Sequence, residues 1–125
     1  MSPLPAVIET YIAAYNRKDV PAMIACLSDD VVFRNISGGV VTAEASNKTA
    51  FAEMAEFGAT AFETRSQMVT NAITVADTTL TKVDYDAVVA IDLPNGWKAG
   101  QSLSFTGASA FRIRDGKIAS IVDES

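Results

Sequence analysis

Residues 15–36, with the sequence YNRKDVPAMIACLSDDVVFRNI, contain the end of one helix, a second short helix and a first strand. Asp19 is a favourable N-cap for the second helix, and the turn at residues 28–30 ends it. Residues 31–36 are rich in β-branched and aromatic side chains and therefore predict a strand, which ends at Gly38-Gly39. The inward-facing residues of the second helix are Met23, Cys26 and Leu27.

Two longer helices flank this segment. The first is predicted from about Pro3 to about Arg17, because apolar residues recur there at intervals of three and four. The third is predicted from about Asn47 to Phe62, with Ser46 as its cap. The apolar face of the first helix comprises Leu4, Val7, Ile8, Tyr11, Ile12 and Tyr15, and that of the third comprises Phe51, Met54, Ala55 and Phe62.

The second half of the chain predicts an antiparallel meander. Turns at Pro94-Asn95-Gly96 and Asp115-Gly116 connect its later strands, because Gly and Asn tolerate the positive φ of tight hairpins. The element order is therefore ααβαββββ, an α+β fold with a curved antiparallel sheet packed on three helices. The predicted strands are 63–75, 79–93, 101–114 and 117–123.

Composition excludes several classes of function. The 125 residues are 49% hydrophobic, which is enough for one core in a single domain spanning residues 1–125. The net charge of −5 makes nucleic acid an unexpected partner. Because the chain has no histidine, Ser-His-Asp and Cys-His systems are excluded and the usual zinc sites lack ligands. Proton transfer then falls to Asp, Glu, Tyr or Lys, and we expect no metal and no cofactor.

Two further observations indicate the cellular environment of the protein. Cys26 is the only cysteine and lies in an apolar segment, so it predicts core packing rather than a disulfide. Residues 1–5 have no signal-peptide features, and no segment approaches the roughly 20 apolar residues of a membrane span. We therefore expect a cytoplasmic protein without a membrane partner.

The N-terminal half resembles the signature of the nuclear-transport-factor-like (SnoaL-like) superfamily. The resemblance lies in residues 15–19, Tyr-Asn-Arg-Lys-Asp, and residues 27–31, Leu-Ser-Asp-Asp-Val. It implies a cone-shaped arrangement of helices and curved sheet around a pocket for a small, largely apolar substrate or ligand. The fold hosts isomerases, cyclases, dehydratases, hydrolases and non-enzymes, so activity depends on the pocket residues.

Four polar residues resemble the site of limonene-epoxide hydrolase within that superfamily. The matching segments are residues 30–35, ending at Asn35; Lys82-Val83-Asp84; and the last strand, in which Asp123 lies seven residues after a glycine. The resemblance implies that Asp123 deprotonates a water also held by Asn35. Asp84 then protonates the epoxide oxygen, and Lys82 lies between the two carboxylates. That family has an arginine in place of Lys82.

Apolar residues complete the predicted pocket. Phe33 stands where the hydrolase has a tyrosine, and the helix pattern places Tyr11 against the pocket with Tyr15 nearer its rim. Trp97 is predicted either in a dimer contact or over the pocket mouth. The predicted substrate-binding residues are Tyr11, Phe33, Phe51, Met54 and Phe105.

A second family, ketosteroid isomerase, is a weaker match. Tyr11 lies eight residues before Asp19, which resembles the spacing of that family's oxyanion tyrosine. Asn35, however, stands in place of its general-base aspartate, and an amide cannot abstract a proton. Ala108 or Ser109 stands where that family has a second, proton-donating aspartate.

Simpler explanations exist for the same polar residues. Lys82 and Asp84 fit a solvated strand face or a cross-strand ion pair, and Asp123 fits the surface of a chain end. Asn35 is also common at strand ends. The alternatives to epoxide hydrolysis are a SnoaL-type cyclase, isomerase or dehydratase, and a non-catalytic ligand-binding or dimerisation module. In each case we expect a homodimer.

Overall fold

The computed structural model describes residues 4–125 and contains three helices and a curved, unclosed six-stranded sheet, which confirms the α+β fold. The strand order across the sheet is β2-β1-β6-β5-β4-β3. The helices are α1 (Ala6–Asn16), α2 (Val20–Ala25) and α3 (Lys48–Ala61). The strands are β1 (Leu27–Ser37), β2 (Val40–Ala45), β3 (Phe62–Val75), β4 (Thr78–Val89), β5 (Ser102–Arg114) and β6 (Lys117–Glu124).

The helix caps agree with the sequence at one of two positions. The Asp19 side chain accepts a hydrogen bond from the backbone N–H of Ala22 at 3.1 Å, as predicted for the start of α2. The cap of α3 is Asn47 rather than Ser46, because the Asn47 side chain accepts from the N–H of Ala50 at 2.8 Å. The predicted start of the first helix at Pro3 lies outside the described residues, and α1 begins at Ala6.

The first strand is longer than predicted and has a partner that the sequence analysis missed. Leu27 already belongs to β1, because it pairs with Ile118 of β6. Gly38 and Gly39 adopt φ values of +58° and +80° and turn the chain into β2, which makes a sixth strand. The β1–β6 pair is parallel and the other four pairs are antiparallel, so the sheet is mixed.

The two predicted hairpin turns differ in form. Asp115 and Gly116 have φ values of +53° and +75° and make the expected tight turn between β5 and β6. β4, in contrast, ends at Val89, and residues 90–101 form a wider loop. Gly96 lies in a local turn within this loop.

The register of the last three strands decides which side chains face the helices. Thr81, Ser109 and Asp123 are paired across β4, β5 and β6. Since directly paired residues point to the same face of a sheet, odd-numbered residues of β4, of β5 up to Phe111 and of β6 from Ile121 share one face. The buried core lies on that face, between sheet and helices, and includes Ile8, Met23, Cys26, Leu27, Phe111 and Ile121. No helix among residues 4–125 is long and apolar enough to span a membrane.

Candidate active site

A cavity of about 720 Å³ opens on the concave face of the sheet, beneath α1 and α3. This volume suits a small organic molecule. Its walls are mostly apolar or aromatic, with a few convergent polar groups. The residues used below are Tyr15, Phe33, Asn35, Met54, Phe62, Gln67, Tyr85, Trp97, Phe105, Ser109 and Asp123.

The charges around the cavity are one-sided. Asp123 and Glu124 are the acidic residues among the described residues that line it, and that lining contains no Lys or Arg. An anionic ligand would therefore meet negative charge without a compensating cation, so the cavity favours an uncharged molecule. Within residues 4–125, no group of three or more His, Cys, Asp or Glu side chains is arranged to hold a metal ion.

Asp123 lines this cavity, is half-buried and is held by its neighbours. The Ser109 hydroxyl donates a hydrogen bond of 2.6 Å to Asp123 Oδ1. Ser109 is itself fixed, since its carbonyl oxygen accepts from the buried Thr81 hydroxyl at 3.1 Å. Burial raises the pKa of Asp123 to about 6, and the Ser109 hydrogen bond opposes this rise. The result is a positioned carboxyl group that titrates near neutral pH.

Asn35 lies directly beside Asp123. The two residues are paired across the parallel strands β1 and β6, and both line the cavity. The Asn35 side-chain N–H donates to the Thr42 hydroxyl at 2.9 Å. Among the described residues nothing donates to the Asn35 side-chain oxygen, which is therefore free to accept a hydrogen bond from a ligand or water.

A pair of tyrosines forms a second polar group in the wall. The hydroxyls of Tyr15 and Tyr85 are 3.0 Å apart and share a hydrogen bond. The pKa of both phenols is raised, mainly by burial, so both remain protonated at neutral pH. The Arg65 guanidinium lies 3.8 Å from the centre of the Tyr15 ring, and the Tyr85 ring stacks on Phe105 at 4.9 Å.

The sequence profile of the SnoaL-like domain matches residues 8–121. The chain belongs to the SnoaL-like family. The match covers nearly all of the described chain, including Asn35, Ser109 and both tyrosines of the pair; Asp123 lies just beyond its end. No functionally curated protein matches the chain significantly.

Solved structures resemble this SnoaL-like chain in fold. AclR, a provisionally assigned hydroxylase from Streptomyces galilaeus, has a TM-score of 0.74 at 22% identity, with 94% of this chain and 84% of AclR covered. A provisionally assigned polyketide cyclase from Pseudomonas putida KT2440 has a TM-score of 0.74 at 23% identity (94% and 86% covered). An LEH-like epoxide hydrolase from M. tuberculosis has a TM-score of 0.74 at 17% identity (94% and 78% covered). At these identities the likeness establishes the fold alone.

The predicted arrangement of Asp84 and Lys82 with Asp123 is wrong in this SnoaL-like chain. Lys82 pairs with Ala108 and Asp84 with Thr106, so both lie in even-numbered rows on the outer face of the sheet. Lys82 is exposed, and Asp84 accepts a hydrogen bond from the Thr106 hydroxyl at 3.1 Å. A residue that pairs with the row of Asp123 must be odd-numbered, and the odd positions of β4 contain no carboxylate.

The predicted apolar residues divide between the wall and the layer behind it. Phe33, Met54 and Phe105 line the cavity of the SnoaL-like domain. Phe51 and Tyr11 do not; they are buried in the core, where their rings lie 6.4 Å apart. Tyr11 is thus buried as expected, but it is Tyr15 that reaches the cavity.

Trp97 lies in the cavity wall, which agrees with the predicted position over the pocket mouth. Its ring packs against that of Phe62 at 6.4 Å. Ser109, Gln67 and Tyr85 are cavity residues that the sequence analysis did not select. The alternation of apolar and polar residues along β4 is a signal that places Tyr85 on the inner face.

Proposed function

We propose that this SnoaL-like chain is an acid–base enzyme that moves a proton at a carbon next to a carbonyl group, as in a cyclisation or isomerisation. Its substrate is a small, uncharged, largely apolar molecule. One observation carries the proposal: Asp123 is a positioned carboxyl group with a pKa of about 6 in a largely apolar cavity. A catalytic pKa near the working pH allows the same group both to take up and to release a proton.

The hydrogen bonding of Asp123 leaves one oxygen available. Ser109 donates to Oδ1, and among the described residues nothing donates to Oδ2. At neutral pH the carboxyl group is mostly ionised, so Oδ2 takes a proton from the substrate carbon. The resulting neutral acid is stable in the apolar cavity and returns the proton to a different atom of the substrate. This sequence of transfers needs one carboxylate and no second charged residue.

Epoxide hydrolysis is the second candidate, because Asn35 lies beside Asp123 with its side-chain oxygen free. A water that donates to both oxygens would be oriented for attack. The reaction also needs an acid for the leaving oxygen, and Asp84 lies on the outer face of the sheet. Glu124 is the other acidic residue among the described lining residues, and it is exposed at the end of β6. For this reason the cyclase or isomerase type of reaction is the better supported of the two.

Two parallel incubations separate proton transfer next to a carbonyl group from epoxide hydrolysis. Purified protein is mixed in D₂O with a panel of 1,3-diketones and aryl ketones, and in H₂¹⁸O with a panel of epoxides, and products are read by mass spectrometry. We expect catalysed deuterium incorporation next to the carbonyl that Asp123→Asn reduces on the order of 10²- to 10⁴-fold. Asp84→Asn is the matched control on the outer face and should exchange at the wild-type rate.

The other outcomes contradict the proposal in distinct ways. Undiminished exchange in Asp123→Asn would show that another group removes the proton. Formation of ¹⁸O-labelled diols without deuterium exchange would favour the hydrolase. Saturable binding of panel members with neither reaction would favour a non-catalytic ligand-binding module.

We also propose that two copies associate through the outer face of the sheet. Ile73, Leu80, Ala110 and Val122 are directly paired across four strands and form an apolar row there. Ile73 is 62% exposed and Leu80 is 53% exposed, which is costly for large apolar side chains in a single copy. Leu80→Lys should convert a dimer into a monomer in light scattering after size-exclusion chromatography. A wild-type monomer at all concentrations would contradict the association.

A further inference from the structure

We propose that the hydroxyl pair of Tyr15 and Tyr85 binds a carbonyl oxygen of the substrate, at a position along β4 that is separate from the row of Asp123. This inference rests on the proposed function in one respect: the substrate must bind in this cavity. It adds a feature of the substrate, an uncharged acceptor oxygen away from the reacting carbon, which Asp123 alone does not specify.

The tyrosine pair has one hydroxyl hydrogen that their mutual hydrogen bond does not use. Two hydroxyls carry two hydrogens, and the mutual bond of 3.0 Å uses only one of them. Whichever hydroxyl donates in that bond, the other retains its hydrogen. The Gln67 side chain also forms a hydrogen bond with Tyr15; this bond lowers the Tyr15 pKa because the amide N–H donates to the phenol oxygen, so it does not use the remaining hydrogen. Both tyrosine side chains line the cavity. A ligand oxygen in the cavity would therefore satisfy a donor that the protein leaves open.

The charges around the tyrosine pair decide whether it favours a neutral or an anionic ligand oxygen. Both phenols stay neutral, because burial raises the pKa of each. No Lys or Arg occurs among the described lining residues, and Asp123 contributes negative charge. A carboxylate or phosphate would lose its hydration without contacting a cation, because the Arg65 guanidinium packs against the Tyr15 ring and does not line the cavity. A ketone or quinone oxygen loses little hydration. The pair therefore favours a neutral carbonyl group.

The two rings are held in place before any ligand arrives. The Arg65 guanidinium lies against the Tyr15 ring, and Arg65 Nε donates to the Tyr15 carbonyl oxygen at 3.0 Å. Among the described residues Arg65 has no carboxylate partner, although it is buried, so its interactions are committed to Tyr15 and its surroundings. Tyr85 is held by stacking on Phe105. Such fixed donors bind without a further loss of side-chain freedom.

The register places the pair away from Asp123. Thr81 lies in the row of Asp123, and Tyr85 is four residues farther along β4. At about 3.3 Å per residue this is about 13 Å along the strand. The oxygen bound by the pair is thus an anchor rather than the oxygen next to the reacting carbon.

Two ligands of nearly equal shape test the donor directly. Acetophenone carries a carbonyl oxygen, and α-methylstyrene has a methylene group in its place. Trp97 is the only tryptophan and lies in the cavity wall, so its indole N–H gives a single NMR signal that reports binding of either compound. We expect the wild-type protein to prefer acetophenone by roughly 3- to 10-fold, the value of one hydrogen bond.

Tyrosine variants provide the decisive comparison. The double variant Tyr15→Phe/Tyr85→Phe should lose the preference and keep its affinity for α-methylstyrene, which shows that the cavity is intact. Each single variant should retain a preference, because the remaining hydroxyl still has a free hydrogen. Tyr11→Phe is the matched control, since that phenol is buried outside the cavity lining.

Three results would overturn the inference: equal affinity of the wild-type protein for the two compounds, a preference that persists in the double variant, or no response of the Trp97 signal to either compound. The test is independent of catalysis. Asp123→Asn should leave the preference unchanged even though it abolishes proton exchange, so failure of the anchor and failure of the proposed function give different results.

Discussion

The raised pKa of Asp123 predicts that the wild-type residue destabilises the folded protein at neutral pH. A carboxyl group in the unfolded chain titrates at about 3.9, whereas in the folded protein Asp123 titrates at about 6. Between these values the folded state binds more protons than the unfolded state. Stability therefore falls as the pH rises from about 4 to about 6, and the loss remains complete above that range.

Asp123→Asn removes this penalty, so its size can be worked out from the shift. A difference of about 2 pKa units corresponds to about 3 kcal/mol at about 1.4 kcal/mol per unit. The asparagine side-chain oxygen can still accept the hydrogen bond from Ser109, so the local packing is retained. We expect the variant to be more stable than wild type by about 2–3 kcal/mol at pH 7.5, or roughly 10 °C in Tm. Below about pH 4 the two proteins should be equally stable.

Urea unfolding followed by circular dichroism from pH 4 to pH 8 measures the difference. Asp84→Asn is the control: its side chain accepts an exposed hydrogen bond on the outer face, so its effect should stay within about 0.5 kcal/mol at every pH. If Asp123→Asn is no more stable than wild type at pH 7.5, or if the stability difference does not change with pH, this expectation is wrong. Such a result would mean that Asp123 is solvated rather than enclosed in the cavity.

Two further substitutions test the support of the site. Ser109→Ala removes the hydrogen bond that lowers the pKa of Asp123, so the midpoint of the pH–rate profile should move upward while the fold is kept; an unchanged midpoint would show that Ser109 does not set this pKa. Gly107→Ala places a methyl group 2.8 Å from the carbonyl oxygen of Glu124, and we expect it to lower the free energy of unfolding by about 1–3 kcal/mol, measured by urea unfolding. No loss of stability would show that the end of β6 shifts freely.

The sequence was sufficient for the fold, because helical periodicity predicted the three helices and the segment at residues 15–19 resembled the superfamily signature. The resemblance to limonene-epoxide hydrolase selected Asn35 and Asp123, which are paired across β1 and β6. β2 was missed because the sequence analysis treated Gly38-Gly39 as the end of a strand. Two consecutive glycines are also a favourable hairpin turn, and residues 40–45 contain three β-branched side chains in succession.

The wrong placement of Asp84 shows that strand alternation, and not the motif match, decides which face of the sheet a residue occupies. The resemblance at Lys82-Val83-Asp84 placed Asp84 on the same face of the sheet as Asp123. Along β4, however, Val83, Tyr85 and Ala87 form the apolar, inward set, which already implies that the alternate residues face outward. The contact between Tyr15 and Tyr85 had no such local signal, because it joins a helix to a strand 70 residues away and depends on the register of the whole sheet.

The proposed function depends most on Asp123, a half-buried carboxyl group that changes protonation near neutral pH. A ¹³C NMR titration of the side-chain carboxyl carbons, with the Asp123 signal assigned by its disappearance in Asp123→Asn, measures this without any substrate. We expect a midpoint near pH 6, the value to which burial raises the pKa of this residue. A midpoint near pH 4, the ordinary value for an aspartate in water, would contradict it.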